Sequence, residues 1–132
     1  MTRGPYTGID RSEKAIAAAR AHNSEPVSAG WMQFLTMALK DASMLGRRRR
    51  MIVAVNVNIF WLKPHAELEV VRSLMTRESR LYLAYQAPTS RKTAEAIAQA
   101  RWNLENDGFR IVGESKSGSV SAPTHCVIAA TA

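Results

Sequence analysis

The stretch from Met51 to Leu62, MIVAVNVNIFWL, constrains the fold more than any other part of the sequence. It begins as a continuous apolar run rich in β-branched residues, which is typical of a strand buried on both faces of a parallel sheet. Asn56 and Asn58 then interrupt the run, and Phe60 and Trp61 follow. Because ligands of open α/β sheets bind beyond the carboxyl ends of the strands, we interpret the stretch as a central strand that ends in a binding site. The alternative is a buried strand whose exit is packed by the two aromatic rings.

Length and composition indicate a single globular domain. A chain of 132 residues, of which 46% are hydrophobic and 22% are charged, can bury one sizeable core. The longest apolar run is too short to cross a membrane, and the amino terminus lacks the pattern of a signal peptide. Cys126 is the single cysteine, so neither an intrachain disulfide nor a cysteine-based zinc site can form. We predict one cytoplasmic domain over residues 1–132.

The charge balance is strongly basic. The formal net charge is +7 and the sequence pI is about 10.2, which favours anionic partners. Four arginines, Arg47, Arg48, Arg49 and Arg50, stand immediately before the apolar stretch. Such a run is either a solvated loop or a contact for nucleic acid. No aromatic residue is interleaved with it, which argues against stacking on single strands.

Strand and helix patterns alternate along the rest of the chain. The last two strands are joined by a Gly/Ser-rich loop without a helix, which predicts an antiparallel pair. The helix over 90–106 has Ala94, Ile97, Ala98 and Leu104 on its predicted inner face. The pattern indicates an α/β layered sheet with a mixed edge. The predicted strands are 6–10, 32–36, 51–55, 80–85, 109–114 and 125–130, and the main helices are 12–22, 64–75 and 90–106.

An ordered set of short motifs resembles the class I S-adenosylmethionine-dependent methyltransferases. In that family an acidic residue ends the second strand and a helix with the pattern S-x-x-A-h-x-x-A follows, which Asp10 and the segment Ser12–Ala19 match. The segment Val53–Trp61 resembles the family's fourth strand and its loop, and Leu104 to Phe109 matches the turn L-x-x-x-G-F before the sixth strand. The resemblance covers nearly all of the chain from about residue 5 onward.

The resemblance implies a fold and an activity. The expected fold is a Rossmann-like three-layer sandwich, with a mostly parallel sheet and an antiparallel C-terminal strand. The expected activity is methyl transfer from S-adenosylmethionine to an unidentified acceptor. Methyl transfer needs mainly the alignment of the reacting atoms, so the lack of an obvious acid–base pair does not argue against it. The three histidines share no ligand spacing, and we expect no metal site.

The resemblance also assigns site residues. Asp10 would hold both ribose hydroxyls, since a carboxylate accepts two hydrogen bonds well, with Arg11 beside it on the cofactor side. The alternative for Asp10 is a helix cap paired with Glu13. Asn56 would lie near the cofactor. The residues on the acceptor side would be Asn58, Phe60 and Trp61.

Two departures from the family pattern shape the remaining expectations. The sequence has no G-x-G-x-G loop, and it starts at what resembles the family's second strand. We therefore expect an N-terminally incomplete methyltransferase domain. The strand that begins at Met51 would then have an unpaired apolar edge, through which a homodimer could form. The alternative function is a catalytically inactive basic module that binds nucleic acid or a protein partner on the same scaffold.

Overall fold

The computed structural model describes residues 5–118 and 123–132, and the chain divides into two compact units at residues 44 and 45. The predicted loop over 115–121 lies partly outside the described residues. None of the described helices combines the length and the apolar composition that a membrane span requires.

The first unit is a strand–helix–helix–strand segment. Its elements are β1 (Tyr6–Asp10), α1 (Glu13–His22), α2 (Ser24–Ser28) and β2 (Met32–Thr36), and a 3₁₀ helix over Leu39–Leu45 follows them. β1 and β2 pair in parallel, with Asp10 opposite Thr36 at their carboxyl ends. The α1 helix begins where predicted because Ser12 caps it: its Oγ accepts from the Ala15 N–H at 3.1 Å. The buried side chains of Ile16 and Phe34 supply apolar packing in this unit.

The second unit contains a four-stranded sheet with two helices. Its strands are β3 (Arg49–Val55), β4 (Met75–Tyr85), β5 (Phe109–Gly118) and β6 (Pro123–Thr131). The helices are α3 (His65–Ser73) and α4 (Ser90–Asn106), and a 3₁₀ turn covers Asn58–Trp61. The strand order is β3-β4-β6-β5, in which β3 and β4 are parallel and β6 runs antiparallel to both neighbours. The α/β class and the antiparallel C-terminal strand are therefore confirmed.

The core of this unit lies around β4 and β6. Leu81 and Leu83 of β4 and Val127 and Ala129 of β6 are fully buried. Burying a large aliphatic side chain stabilises a fold by roughly 1.5–3 kcal/mol, so these central strands fix the position of the elements attached to them. The chain leaves β4 at Tyr85, which is only 3% exposed. The loops that follow β3 and β4 are therefore anchored on a packed sheet.

The burial predicted for the apolar run on both strand faces is wrong. Met51, Val53 and Val55 are 60%, 57% and 62% exposed. The physical reason is the strand order: β3 stands at the end of its sheet and pairs with β4 alone among the described strands. The predicted inner face of α4 also needs correction, because Ala94 and Ala98 are exposed.

Candidate binding site at the carboxyl ends of β3 and β4

A cavity of about 1100 Å³ opens where β3 and β4 end. The two strands are parallel, so the residues after Val55 and after Tyr85 meet at the same edge of the sheet. Asn56, Asn58 and Trp61 line the cavity from the first loop, and helix α4 supplies another wall. This is the edge at which open α/β sheets bind ligands. The structure thus brings three of the residues predicted for the site into one cavity.

Asn56 connects the two loops of the cavity. Its backbone N–H donates to the Ala84 carbonyl at 2.8 Å, and its side-chain Oδ1 accepts from the Gln86 N–H at 2.9 Å. Its φ angle of 53° lies in the left-handed region, which asparagine adopts more readily than most residues. The Nδ2 group has no partner among the described residues. Asn56 therefore fixes the loop with its oxygen and leaves an amide donor for a ligand.

Asn58 and Trp61 form a second pair on the same loop. The Trp61 indole N–H donates to Asn58 Oδ1 at 3.3 Å across the single 3₁₀ turn. The Trp61 ring is half-buried and lines the cavity. Asn58, like Asn56, uses its oxygen within the protein. The loop thus offers a flat aromatic surface beside two amide groups.

Tyr85 supports this loop from the end of β4. Its hydroxyl donates to the Val57 carbonyl at 2.8 Å, and burial raises the pKa of the phenol far above its usual value. The phenol is therefore protonated at neutral pH and acts as a hydrogen-bond donor to the backbone. Sequence reasoning placed Tyr85 only in a strand, because nothing local shows that a ring at a strand end reaches a neighbouring loop.

Phe60 and Asn103 hold the turn against the core. The Phe60 side chain is 2% exposed and is not part of the cavity lining, in contrast to the adjacent Trp61. Asn103 of α4 is 6% exposed, and its Nδ2 donates to the carbonyls of Phe60 at 2.9 Å and Leu62 at 3.3 Å. Asn103 was missed by the sequence analysis. A polar residue on the buried stripe of a helix, between Ala100 and Leu104, was the available signal.

Asp10 ends β1 in the first unit, and its side chain is exposed. One oxygen, Oδ1, accepts from the Ser12 N–H at 2.8 Å, while Ser12 itself caps α1. The capping pair that we considered between Asp10 and Glu13 does not form. Asp10 Oδ2 has no hydrogen bond to a described residue, and the adjacent Arg11 is exposed and likewise without a hydrogen bond to the described part of the chain.

The four arginines do not form a uniform surface. The guanidinium group of Arg48 donates to the Met75 carbonyl, and Arg49 is half-buried as the first residue of β3. Arg47 and Arg50 are exposed. Two of the four residues therefore serve the fold, and they all lie at or before the amino end of β3, away from its carboxyl end.

Comparison with known proteins identifies the fold. Neither a protein-family model nor a curated protein matches the sequence. Among solved structures, the magnesium protoporphyrin IX methyltransferase of Synechocystis PCC 6803 with bound S-adenosylhomocysteine superposes with a TM-score of 0.67 at 21% identity. That match covers 96% of this chain and 63% of the other. This chain has the class I methyltransferase fold.

Two further structures with the methyltransferase fold agree with it. N-methyltransferase NodS from Bradyrhizobium japonicum WM9 matches with a TM-score of 0.68 at 12% identity, over 96% of this chain and 73% of the other. Mitomycin 7-O-methyltransferase matches with a TM-score of 0.71 at 14% identity, over 96% and 41%. The chain thus spans less than two thirds of the length of several methyltransferases that it resembles. The predicted resemblance to class I methyltransferases is confirmed at the level of the fold.

Proposed function

We propose that the protein transfers a methyl group from S-adenosylmethionine to an acceptor that is still unidentified. The observation that carries the proposal is the cavity at the carboxyl ends of β3 and β4 in a chain with the methyltransferase fold. The cofactor supplies an electrophilic methyl group. The chain's own residues would bind and orient the reactants and exclude water, which is most of what such a reaction requires.

The donor set in each unit fits the cofactor. Asp10 keeps one carboxylate oxygen for hydroxyl donors, and we propose that it holds the ribose, with Arg11 beside it. In the second unit we propose that Asn56 faces the cofactor through its Nδ2 group, and that Asn58 and Trp61 face the acceptor. Phe60, which we predicted on the acceptor side, would contribute only by packing beneath the turn, because its ring is buried.

Calorimetric titration with S-adenosylhomocysteine tests the cofactor assignment. Asp10→Asn keeps an oxygen that can accept from the Ser12 N–H but removes the negative charge and the second acceptor. We expect this variant to bind about tenfold or more weakly, since a hydrogen bond to a charged group contributes roughly 1.5–3 kcal/mol. Asp41→Asn is the matched control, because Asp41 is an exposed carboxylate of the same unit. Equal affinities in Asp10→Asn and the wild type would refute the assignment.

The acceptor cannot be taken over from the similar structures. Their acceptors are unlike one another, and the identities are 21% or less. A small molecule, a protein or a nucleic acid would each need different contacts around Asn58 and Trp61. The cavity lining of this chain is therefore the place to look for the acceptor.

Two further partners are proposed from the second unit. Nucleic acid could contact Arg47 and Arg50, which are exposed in a chain with net charge +7. A second copy of the chain could pair with β3, which stands at the end of its sheet with Val53 exposed. Both proposals are independent of the methyl-transfer activity.

A further inference from the structure

The charge of the cavity lining points to the chemistry of the acceptor. Lys63 and Lys92 both line the cavity, are exposed, and have no ion pair among the described residues. Glu95 is the one carboxylate named in the lining, and it pairs with the guanidinium of Arg91 at 3.1 Å. The described lining therefore carries two uncompensated positive charges. An anionic group of a ligand would meet no competing carboxylate that is free.

The apolar part of the lining indicates a flat, large ligand. The half-buried Trp61 ring faces the cavity together with Ile59, Leu62 and Pro88. Aromatic rings prefer offset-stacked or edge-to-face contacts, and one such contact adds about 0.5–1.5 kcal/mol beyond the burial of area. The volume of about 1100 Å³ is at the upper end of the range for ligand pockets, roughly 300–1000 Å³. A small aliphatic acid would leave most of this space unfilled.

We infer that the methyl acceptor is a small molecule with a flat aromatic ring system and an anionic group. Its ring packs against Trp61, and its anion binds between Lys63 and Lys92. This inference rests on the proposed methyl transfer and specifies its substrate class. A nucleic acid also combines flat rings with anions, but the exposed Arg47 and Arg50 lie at the amino end of β3, about 20 Å along the strand from the cavity. No basic track of described arginines therefore leads from that end of β3 into the cavity.

A matched pair of probes tests the inference without the cofactor. Pyrene-1-carboxylate and pyrene-1-carboxamide have the same ring and nearly the same size but differ in charge, and fluorescence anisotropy measures the binding of each. We expect the carboxylate to bind about three- to tenfold more tightly, and the difference to shrink as salt is added, since exposed charges contribute modestly and are screened. Equal affinities of the two probes for the wild type would overturn the inference.

Variants separate the charge from the ring. The double variant Lys63→Gln and Lys92→Gln should bind the two probes equally while keeping the wild-type affinity for the carboxamide. Lys116→Gln, on β5 and outside this cavity, is the control and should keep the preference for the carboxylate. Trp61→Leu should weaken both probes about equally, by roughly two- to tenfold. A preference that survives in the double variant would contradict the assignment of the two lysines.

The outcome can be distinguished from failure of the proposed function. The same variants are titrated with S-adenosylhomocysteine, for which Lys63→Gln and Lys92→Gln should leave the affinity within about twofold. A chain that binds S-adenosylhomocysteine but shows no preference for the carboxylate probe refutes the substrate class alone. A short single-stranded RNA that displaces the pyrene probe more strongly than free pyrene-1-carboxylate does would overturn the small-molecule acceptor in favour of nucleic acid.

Discussion

Asn103 is the residue whose replacement most directly tests how the cavity loop is held. Its Nδ2 donates to the buried Phe60 carbonyl and to the Leu62 carbonyl, and its Oδ1 accepts from Gln99 Nε2 at 3.1 Å. In Asn103→Ala the Phe60 carbonyl loses its donor in a place where water has little access. Leaving a buried polar group unsatisfied costs about 1–3 kcal/mol, and the truncated side chain leaves a small void. We expect the free energy of unfolding to fall by about 2–4 kcal/mol, against about 5–15 kcal/mol for a whole domain.

Urea denaturation followed by circular dichroism and tryptophan emission measures this change. Asn106→Ala is the matched control, because Asn106 is exposed on the same helix and the substitution raises helix propensity in a similar way. The control should change the unfolding free energy by no more than about 0.5 kcal/mol. A loss in Asn103→Ala that does not exceed the control by about 1 kcal/mol would refute the argument that these hydrogen bonds hold the turn.

Asn103→Asp separates the donor from the volume of the side chain. It keeps the size of asparagine and an acceptor for Gln99, but at neutral pH it turns an oxygen toward the Phe60 carbonyl in place of the amide donor. We expect it to be at least as destabilised as Asn103→Ala at neutral pH, and to recover stability as acid protonates the carboxyl group, which can then donate. Equal stability of the Asp and Asn proteins at neutral pH would contradict this account.

Three further predictions concern other parts of the second unit. If nucleic acid binds at the exposed arginines, Arg47→Gln with Arg50→Gln should weaken binding of a short RNA and lower the slope of log affinity against log salt by about two contacts, as a filter-binding titration would show. If β3 mediates a homodimer, the wild type should sediment as a dimer and Val53→Lys as a monomer. His65 hydrogen-bonds to Asp107 at 2.7 Å, which raises the pKa of His65 above 6.5, so Asp107→Asn should lower the pKa seen by NMR titration. The stability that this pair contributes is present below pH 6.5 and is lost as pH rises through the higher pKa of the folded state.

Each of these predictions has a control in the same unit. Arg110→Gln with Lys116→Gln removes two charges from β5 and should reduce RNA binding less than the β3 double variant does. Val112→Lys changes an exposed valine on β5, the opposite end strand, and should leave the dimer intact. A monomeric wild type would refute the homodimer, and an unchanged His65 titration in Asp107→Asn would refute the stated cause of its raised pKa.

Elements that are set by local chemistry were predictable from the sequence. Helix α4 runs over Ser90–Asn106 as predicted, because Thr89 caps its start and Gly108, with φ 84°, takes the left-handed conformation after its end. Strand β2 also has the predicted bounds, Met32–Thr36. In both cases the signals lie within a few residues of the boundary, so no knowledge of the neighbours was required.

Features that depend on distant neighbours were not predictable. The apolar run of β3 has the composition of a strand buried on both faces, yet whether a strand is covered depends on the strand order, which no residue of β3 encodes. Alanine has the same ambiguity in α4, where Ala96 and Ala100 are buried and Ala94 and Ala98 are exposed. The short alanine side chain fits either face of a helix, so periodicity alone does not place it.

The way the polar groups of the cavity are used restricts the chemistry that it can carry out. The oxygens of Asn56 and Asn58 accept from the protein, so both side chains offer N–H donors to a ligand, as do Lys63 and Lys92. The Tyr85 phenol stays protonated, and Glu95 is held in an ion pair with a guanidinium. A site composed of donors binds an anionic or otherwise electron-rich acceptor well, but it offers no uncommitted base in its described lining. An acceptor that is already deprotonated, such as a carboxylate or a phenolate, is therefore the kind of nucleophile that this cavity suits best.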